Sequence, residues 1–427
     1  MKTKVILAAG IYATAAFALI AGCSTSSAPA GVATSSGTSA PAGVATSSGT
    51  SAPAGGATSS GRSATSGLKT CNPGAASSSD PGVQAAQQAI TKAASATAWG
   101  GPTTGPKGQK SGATVVFIPS NSTNVGDTGV LAGFQEAAKV LGWNVKVIDG
   151  RGTVSSNVAA FDQALALKPA GIMVSSFDPV SSKAEFAKAK AAGVPVVGNH
   201  TGGTAGPQSD DPDLFTNITS DPATIAKIAA DCAIVTSGGT AGVTIYGCGS
   251  EFSICNTKED AMEAEIKKCS RCTMLNRTDY PFEDLTQRQG GISAAAVQKY
   301  GSKLTYMLSI NDGYWDASIP ALKALGVGPS GPPLMIAAGD GSPAAFQRIR
   351  TGQYQIATVA EPLNEHGWQG ADELNRAIAG AKDSGYVTYP HIVTSSNIDA
   401  EGGKNNAYDP TNDYKAHYEQ IWGVSGN

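Results

Sequence analysis

The sequence predicts an α/β protein of two lobes, each built on a doubly wound parallel sheet. Three observations carry that expectation: short β-branched runs alternate with amphipathic helical stretches, the alternation occurs as two series separated by a polar stretch at 199–221, and 427 residues exceed one ordinary domain.

The first unit sets the pattern. Residues 114–118, Thr-Val-Val-Phe-Ile, read as a strand buried on both faces, and a polar run from Ser120 to Asn124 stops it. A helix over 126–141 follows, with Val130, Leu131, Phe134, Ala137, Ala138 and Leu141 at helical spacing and Gly142 as its stop. Strands at 144–148, 171–174 and 195–197 then alternate with helices at 156–167 and 181–192, after a short helix near 83–96. Asp221 caps the helix 222–236 that opens the second series. Its strands fall at 242–246, 273–276, 304–310, 334–337 and 356–359, and its helices at 257–268, 285–300, 315–325 and 343–350.

In parallel sheets, ligands bind beyond the carboxyl ends of the strands, and in two-lobed proteins they bind between the lobes. The polar and aromatic residues at those ends are Asn121, Asn124, Asp178, Asn199, His200, Glu251, Phe252, Asn311, Asp312, Trp315, Asp340 and Glu361. Carboxylates and carboxamides serve hydroxyl groups, and aromatic rings offer an apolar face to a sugar ring. The combination suits a small polyhydroxylated ligand.

The N-terminus reads as an address. Residues 1–22 carry Lys2 and Lys4 before an apolar run, as a secretory signal does, and Ile20-Ala21-Gly22-Cys23 resembles the lipobox of bacterial lipoproteins, which implies lipidation at Cys23. From Ser27 a twelve-residue unit, SAPAGVATSSGT, occurs twice and returns once as SAPAGGATSSGR. A segment with so few charges and no aromatic residue cannot offset its ordering entropy, so residues 23–80 are expected to be a flexible tether on the outer face of the cytoplasmic membrane. A net charge of −3 without a basic run argues against nucleic acid.

The motifs Phe134 to Gly142 (FQEAAKVLG), Gly193-Val194-Pro195-Val196-Val197, Ile310-Asn311-Asp312-Gly313, Ala338-Gly339-Asp340-Gly341, Thr358 to Pro362 (TVAEP) and Ile392 to Asp399 (IVTSSNID) together resemble the sugar-binding proteins of ABC importers, ribose-binding-like branch. That resemblance spans about 114–423. It implies the type I periplasmic binding protein fold, whose lobes are joined by a three-segment hinge crossing here near 215–221, 360–364 and 386–394. One lobe would hold 81–217 with 362–386, the other 218–361 with 387–427. It also implies a monomer that closes on its ligand, uses no cofactor or metal, catalyses no reaction and delivers to an ABC permease. The family's Asp-Arg after the fourth strand is Asn199-His200 here, its early arginine in the second lobe aligns near Lys258, and its hinge glutamine becomes Glu361. Such changes imply a ligand other than a common neutral aldopentose, one carrying an amino group.

Apart from Cys23, the cysteines are Cys71, Cys232, Cys248, Cys255, Cys269 and Cys272, an even number in an exported chain. Six cysteines allow about 15 pairings. Proximity favours Cys248 with Cys255 and Cys269 with Cys272, leaving Cys71 with Cys232. Zinc fits the spacing poorly, and the Cys-x-x-Cys pair ends a helix instead of opening one, so it lacks the dipole of a redox thiolate. Two other readings share these residues: an exported sensor for a membrane receptor, and a glycoside hydrolase using paired carboxylates such as Asp178 and Asp340.

Overall fold

Strand β1, Thr114–Pro119, is buried along all but its first residue, because β-branched side chains face helices on both sides of the sheet. The computed structural model describes residues 71–72, 78–95, 98–209, 211–402 and 405–424. The predicted signal 1–22, the lipidation site Cys23 and most of the tether 23–80 lie outside the described residues.

Around β1 stand β2 (Asn144–Val147), β3 (Ile172–Ser175), β4 (Val196–Asn199) and β5 (Asn217–Ile218), in the order β2-β1-β3-β4-β5 and all parallel. A helix α1 (Pro81–Ala93) precedes this sheet, and α2 (Val125–Val140), α3 (Val154–Ala166) and α4 (Lys183–Ala191) connect its strands. Local chemistry sets their ends. The Asn124 side chain accepts from Gly126 N, Thr153 and Ser156 form a reciprocal capping box, and Gly142 past α2 takes φ 73°, which favours glycine.

The second sheet contains β6 (Gly242–Gly247), β7 (Thr273–Asp279), β8 (Tyr306–Ser309), β9 (Leu334–Ala337), β10 (Gln355–Ala360) and β11 (His391–Thr394), in the order β11-β10-β9-β8-β6-β7. Only β11 runs antiparallel, against β10. Helices α5 (Pro222–Thr236), α6 (Ser253–Lys268), α7 (Leu285–Tyr300), α8 (Gly313–Ala324) and α9 (Pro343–Thr351) cover it. Then α10 (Leu363–Ala379) returns to the first lobe, and α11 (Ile398–Glu401) and α12 (Tyr414–Trp422) end the described chain. Helix α6 begins four residues before the expected start, where the Cys248–Cys255 disulfide holds its first turn.

Two terminal segments change lobes relative to the expected division. Helix α1 falls in the first lobe on the sequence division, but Val83, Ala86 and Ile90 pack into the core of the second beside Ile225 and Ala229, and Cys71–Cys232 ties the same end to α5. Helix α12 falls in the second lobe on the same division, yet Tyr414, Tyr418, Ile421 and Trp422 are buried in the core of the first. Trp422 stacks on Trp368 at 5.6 Å and donates from Nε1 to Asp372 at 2.8 Å. The described chain therefore passes between lobes before β1 and after Tyr408 as well as at the three expected segments. Those three segments meet in space: Ser220 N donates to Glu361 Oε2 at 3.1 Å, and the Ser220 and Thr388 hydroxyls lie 2.8 Å apart. The other two pairs, Cys248–Cys255 and Cys269–Cys272, are also bonded.

Candidate functional site

The loops leaving β1, β3 and β4 face those leaving β6, β8 and β9, and they enclose a cavity of about 70 Å³. A single buried water needs roughly 10–15 Å³ by the same measure, so the space accepts a small molecule rather than one solvent. An adjoining cleft of about 450 Å³ shares Asn121, Asn124, Phe282, Asn311 and Asp340 with it.

Seven of the expected site residues line the cavity: Asn121, Asn124, His200, Phe252, Lys258, Asn311 and Asp340. Each asparagine has its amide orientation fixed by its own loop. Asn121 Oδ1 accepts from Thr123 N at 2.9 Å, Asn124 Oδ1 from Gly126 N at 3.0 Å and Asn311 Oδ1 from Gly313 N at 3.1 Å. An oxygen engaged by a backbone N–H leaves the NH2 as the other end, so three amide donors are free for an occupant among the described residues. Phe252 and Phe282, both from the second lobe, add apolar faces, and Phe282 N is held at 2.9 Å by Glu251 Oε2.

Six expected residues stand outside the cavity, each for a reason visible in its partners. Glu251 serves the Phe282 backbone. Asp178 Oδ2 accepts from Ser253 N at 2.9 Å and Ser253 Oγ at 2.8 Å, joining the first lobe to the second. Asn199 is fully buried and donates to Ile218 O at 2.8 Å. Asp312 Oδ2 accepts from Gly341 N and Ser342 N, both at 2.9 Å, and so shapes the loop that carries Asp340. Trp315 is a core residue, edge-on to Tyr246 at 6.2 Å. Glu361 lies behind the wall, in the hinge. Because Asp178 does not face the cavity and its carboxylate is occupied, the paired-carboxylate hydrolytic arrangement with Asp340 is not formed.

Glu361 gathers charge from both lobes. His200 Nε2 of the first lobe is 3.2 Å from Oε2, and Lys258 Nζ of the second is 3.6 Å from Oε1. Burial pushes the carboxyl up, but His200 and Lys258 outweigh it and hold Glu361 far below the usual range. For His200, burial pushes the imidazole down and Glu361 more than reverses this, so its pKa is raised. His366 lies nearby, lowered to about 3 by burial, and its Nε2 is 2.7 Å from Thr388 Oγ1. Donor atoms of His200, Glu361 and His366 fall within 4.8 Å of one another, a ligand set by residue type. The Lys258 ammonium, however, already supplies the cation beside that carboxylate, and the arrangement works as a hydrogen-bonded hinge.

Asp127 was missed in the sequence. Placed in the first turn of α2, it is fully buried and accepts from Ser175 Oγ at 2.8 Å, Ser176 Oγ at 2.6 Å and Asn121 N at 3.2 Å, which fixes the cavity floor. An acidic residue in the first turn after a strand-end loop was the available signal. The Cys248–Cys255 bridge also lines the wall.

A cavity lined by the strand ends of two similar α/β lobes, with a polar hinge behind it, is the arrangement of a ligand-binding protein. The periplasmic binding protein domain matches residues 115–382, and the chain belongs to that family, whose members bind ligands and are not enzymes. Among solved structures, a sugar ABC transporter protein from Yersinia enterocolitica is similar over 76% of this chain and 100% of its own, at 17% identity and TM-score 0.63. An ABC transporter solute-binding protein from Agrobacterium vitis with bound allitol covers 68% and 97% at 20% identity and TM-score 0.59. A carbohydrate transporter solute-binding protein from Agrobacterium radiobacter in complex with D-arabinose covers 69% and 98% at 19% identity and TM-score 0.60. No curated protein matches the chain.

Proposed function

We propose that the protein is the exported, lipid-anchored solute receptor of an ABC importer, closing on a small hydroxylated, sugar-like ligand and presenting the closed form to a permease. The observation that carries this reading is the cavity itself, to which each lobe contributes polar groups with unfilled hydrogen-bonding capacity. Hydroxyl oxygens accept from the three amide groups, hydroxyl protons serve the carboxylate, and Phe252 and Phe282 take the apolar face of a ring or chain. Allitol and D-arabinose in two structural relatives belong to the same ligand class. Anchoring rests on the lipobox-like Ile20-Ala21-Gly22-Cys23, with the repeats as spacer.

Thermal-shift screening of the purified protein against pentoses, hexoses, polyols and amino sugars tests the reading. Ligand at a hundredfold excess over Kd adds about 2.7 kcal/mol of stability. A strong shift with one class, without turnover, is expected; consumption of the ligand, or no shift with any class, would overturn it.

A further inference from the structure

Four ionisable side chains reach the cavity: Asp127 and His200 from the first lobe, Lys258 and Asp340 from the second. Three of them are committed elsewhere. Asp127 uses both oxygens on Ser175, Ser176 and Asn121 N. His200 and Lys258 both face Glu361, at 3.2 and 3.6 Å, and Lys258 Nζ also donates to Ile310 O at 3.4 Å. The Asp340 carboxylate alone lines the cavity and accepts no hydrogen bond from any described residue. It stands against the start of α2 across the cleft, where a Cβ on Gly126 would be 3.1 Å from Oδ2.

We infer that the ligand carries a protonated amino group seated at Asp340, on a small hydroxylated frame; the inference rests on the receptor reading above. Asp340 is partly buried, and a carboxylate that lines the cavity without a protein donor takes its donors from whatever fills the cavity. Either a hydroxyl or an ammonium could supply them, and the charge balance chooses between the two. Three carboxyls, Asp127, Asp340 and Glu361, stand in the cavity wall and the hinge behind it against two basic groups, His200 and Lys258; burial pushes Asp127 and Asp340 up, so an arriving cation draws out their negative charge. No arginine lines the cavity. A monocation neutralises the closed site, whereas an acidic sugar adds a further negative charge. An ammonium also brings three donors and a charge-assisted bond roughly twice as strong as a neutral one. The amine reading thus passes from Glu361, whose charge is absorbed by the hinge, to Asp340.

The surroundings of Asp340 give the inference a second signature. Burial pushes its carboxyl up to about 6; Lys258 and His200 pull it down, and Glu361 and Asp312 push it up. An arriving ammonium lowers that value, so binding near pH 6 releases protons.

Calorimetry on the purified protein with matched pairs tests this: glucosamine with glucose, galactosamine with galactose, and a 1-amino-1-deoxypentitol with its pentitol. At least one amine should bind about tenfold or more tightly than its neutral partner, with a binding heat at pH 6 that varies with buffer ionisation enthalpy. Asp340→Asn should remove the preference for the amine within each pair, and with it the dependence of the binding heat on buffer at pH 6. A neutral partner that binds as tightly in every pair overturns the amine inference and leaves the receptor reading standing. Absence of binding in every pair overturns both.

Discussion

Asp178 and Ser253 join the two lobes directly: one carboxylate oxygen of Asp178 accepts both the backbone N–H, at 2.9 Å, and the hydroxyl, at 2.8 Å, of Ser253. The other oxygen accepts from Val180 N and Ser181 N within its own lobe, so the group is held rigidly before it reaches across. A contact of this kind between lobes favours the form of the cleft in which it is made. Hydrogen bonds to a charged group contribute about 1.5–3 kcal/mol, so Asp178→Ala should weaken ligand binding about tenfold or more through loss of the closed form. Ser253→Ala, which keeps the N–H, should cost less. Equal affinity of Asp178→Ala and wild type by calorimetry would show that closure does not depend on this contact.

The hinge carboxylate predicts a pH-dependent stability. His200 has a raised pKa in the folded protein, so its contribution is complete below about pH 6.5 and is lost as pH rises through the raised value. Glu361 is depressed, so its contribution holds above about pH 4.5 and fades only in acid. Glu361→Gln leaves two buried cations without their counter-charge and should cost about 3 kcal/mol near pH 6. The gap should narrow in alkali as His200 deprotonates, leaving the part due to Lys258. Urea denaturation of both proteins from pH 5 to 9 measures it, and a constant gap would remove His200 from the account.

Most of the architecture was legible because parallel strands such as Val115–Ile118 and Met173–Val174 are buried on both faces and therefore continuous in hydrophobicity. Strand ends located the loops that matter, and Asn121, Asn311 and Asp340 followed from them, whereas Lys258, within α6, came only from the family resemblance. The direction of a side chain did not. Asp312 and Asp340 are both acidic residues at strand ends, yet one turns inward onto Gly341 and Ser342 and the other into the cavity, a choice made by loop backbone rather than spacing. Lobe membership of α1 and α12 depends on partners far along the chain, Cys232 and Trp368, which periodicity cannot reveal.

The disulfides should differ in strength. Cys71–Cys232 spans 161 residues and Cys248–Cys255 spans 7. Loop-closure entropy then assigns about 5 kcal/mol to the first and about 2 kcal/mol to the second. The double serine variant at 71 and 232 should be the less stable in denaturation. The variant at 248 and 255 should instead lose more ligand affinity, because both cysteines line the cavity and the loop between them carries Phe252 and Ser253. A reversed order in either measurement would contradict the placement of these bridges.

Helices α2 and α10 approach so closely that glycine is required on both. A Cβ on Gly133 would lie 2.1 Å from Asn364 O, and one on Gly367 would lie 2.3 Å from Phe134 N. Both obstacles are backbone atoms, which cannot rotate away, so the helices themselves must separate. Overpacking typically costs about 1–3 kcal/mol, and either Gly133→Ala or Gly367→Ala should sit at the upper end of that range. Because α10 starts two residues after Glu361, moving it displaces the hinge carboxylate from His200 and Lys258, and ligand affinity should fall with stability. Gly291 in α7 provides the contrast, since a Cβ there meets nothing within 4 Å. Gly291→Ala should raise stability by about 0.5–1 kcal/mol through helix propensity, with affinity unchanged. Thermal denaturation of the three variants with and without ligand decides the matter: a tolerated alanine at 133 or 367 would mean that the two helices have room to part without disturbing the hinge.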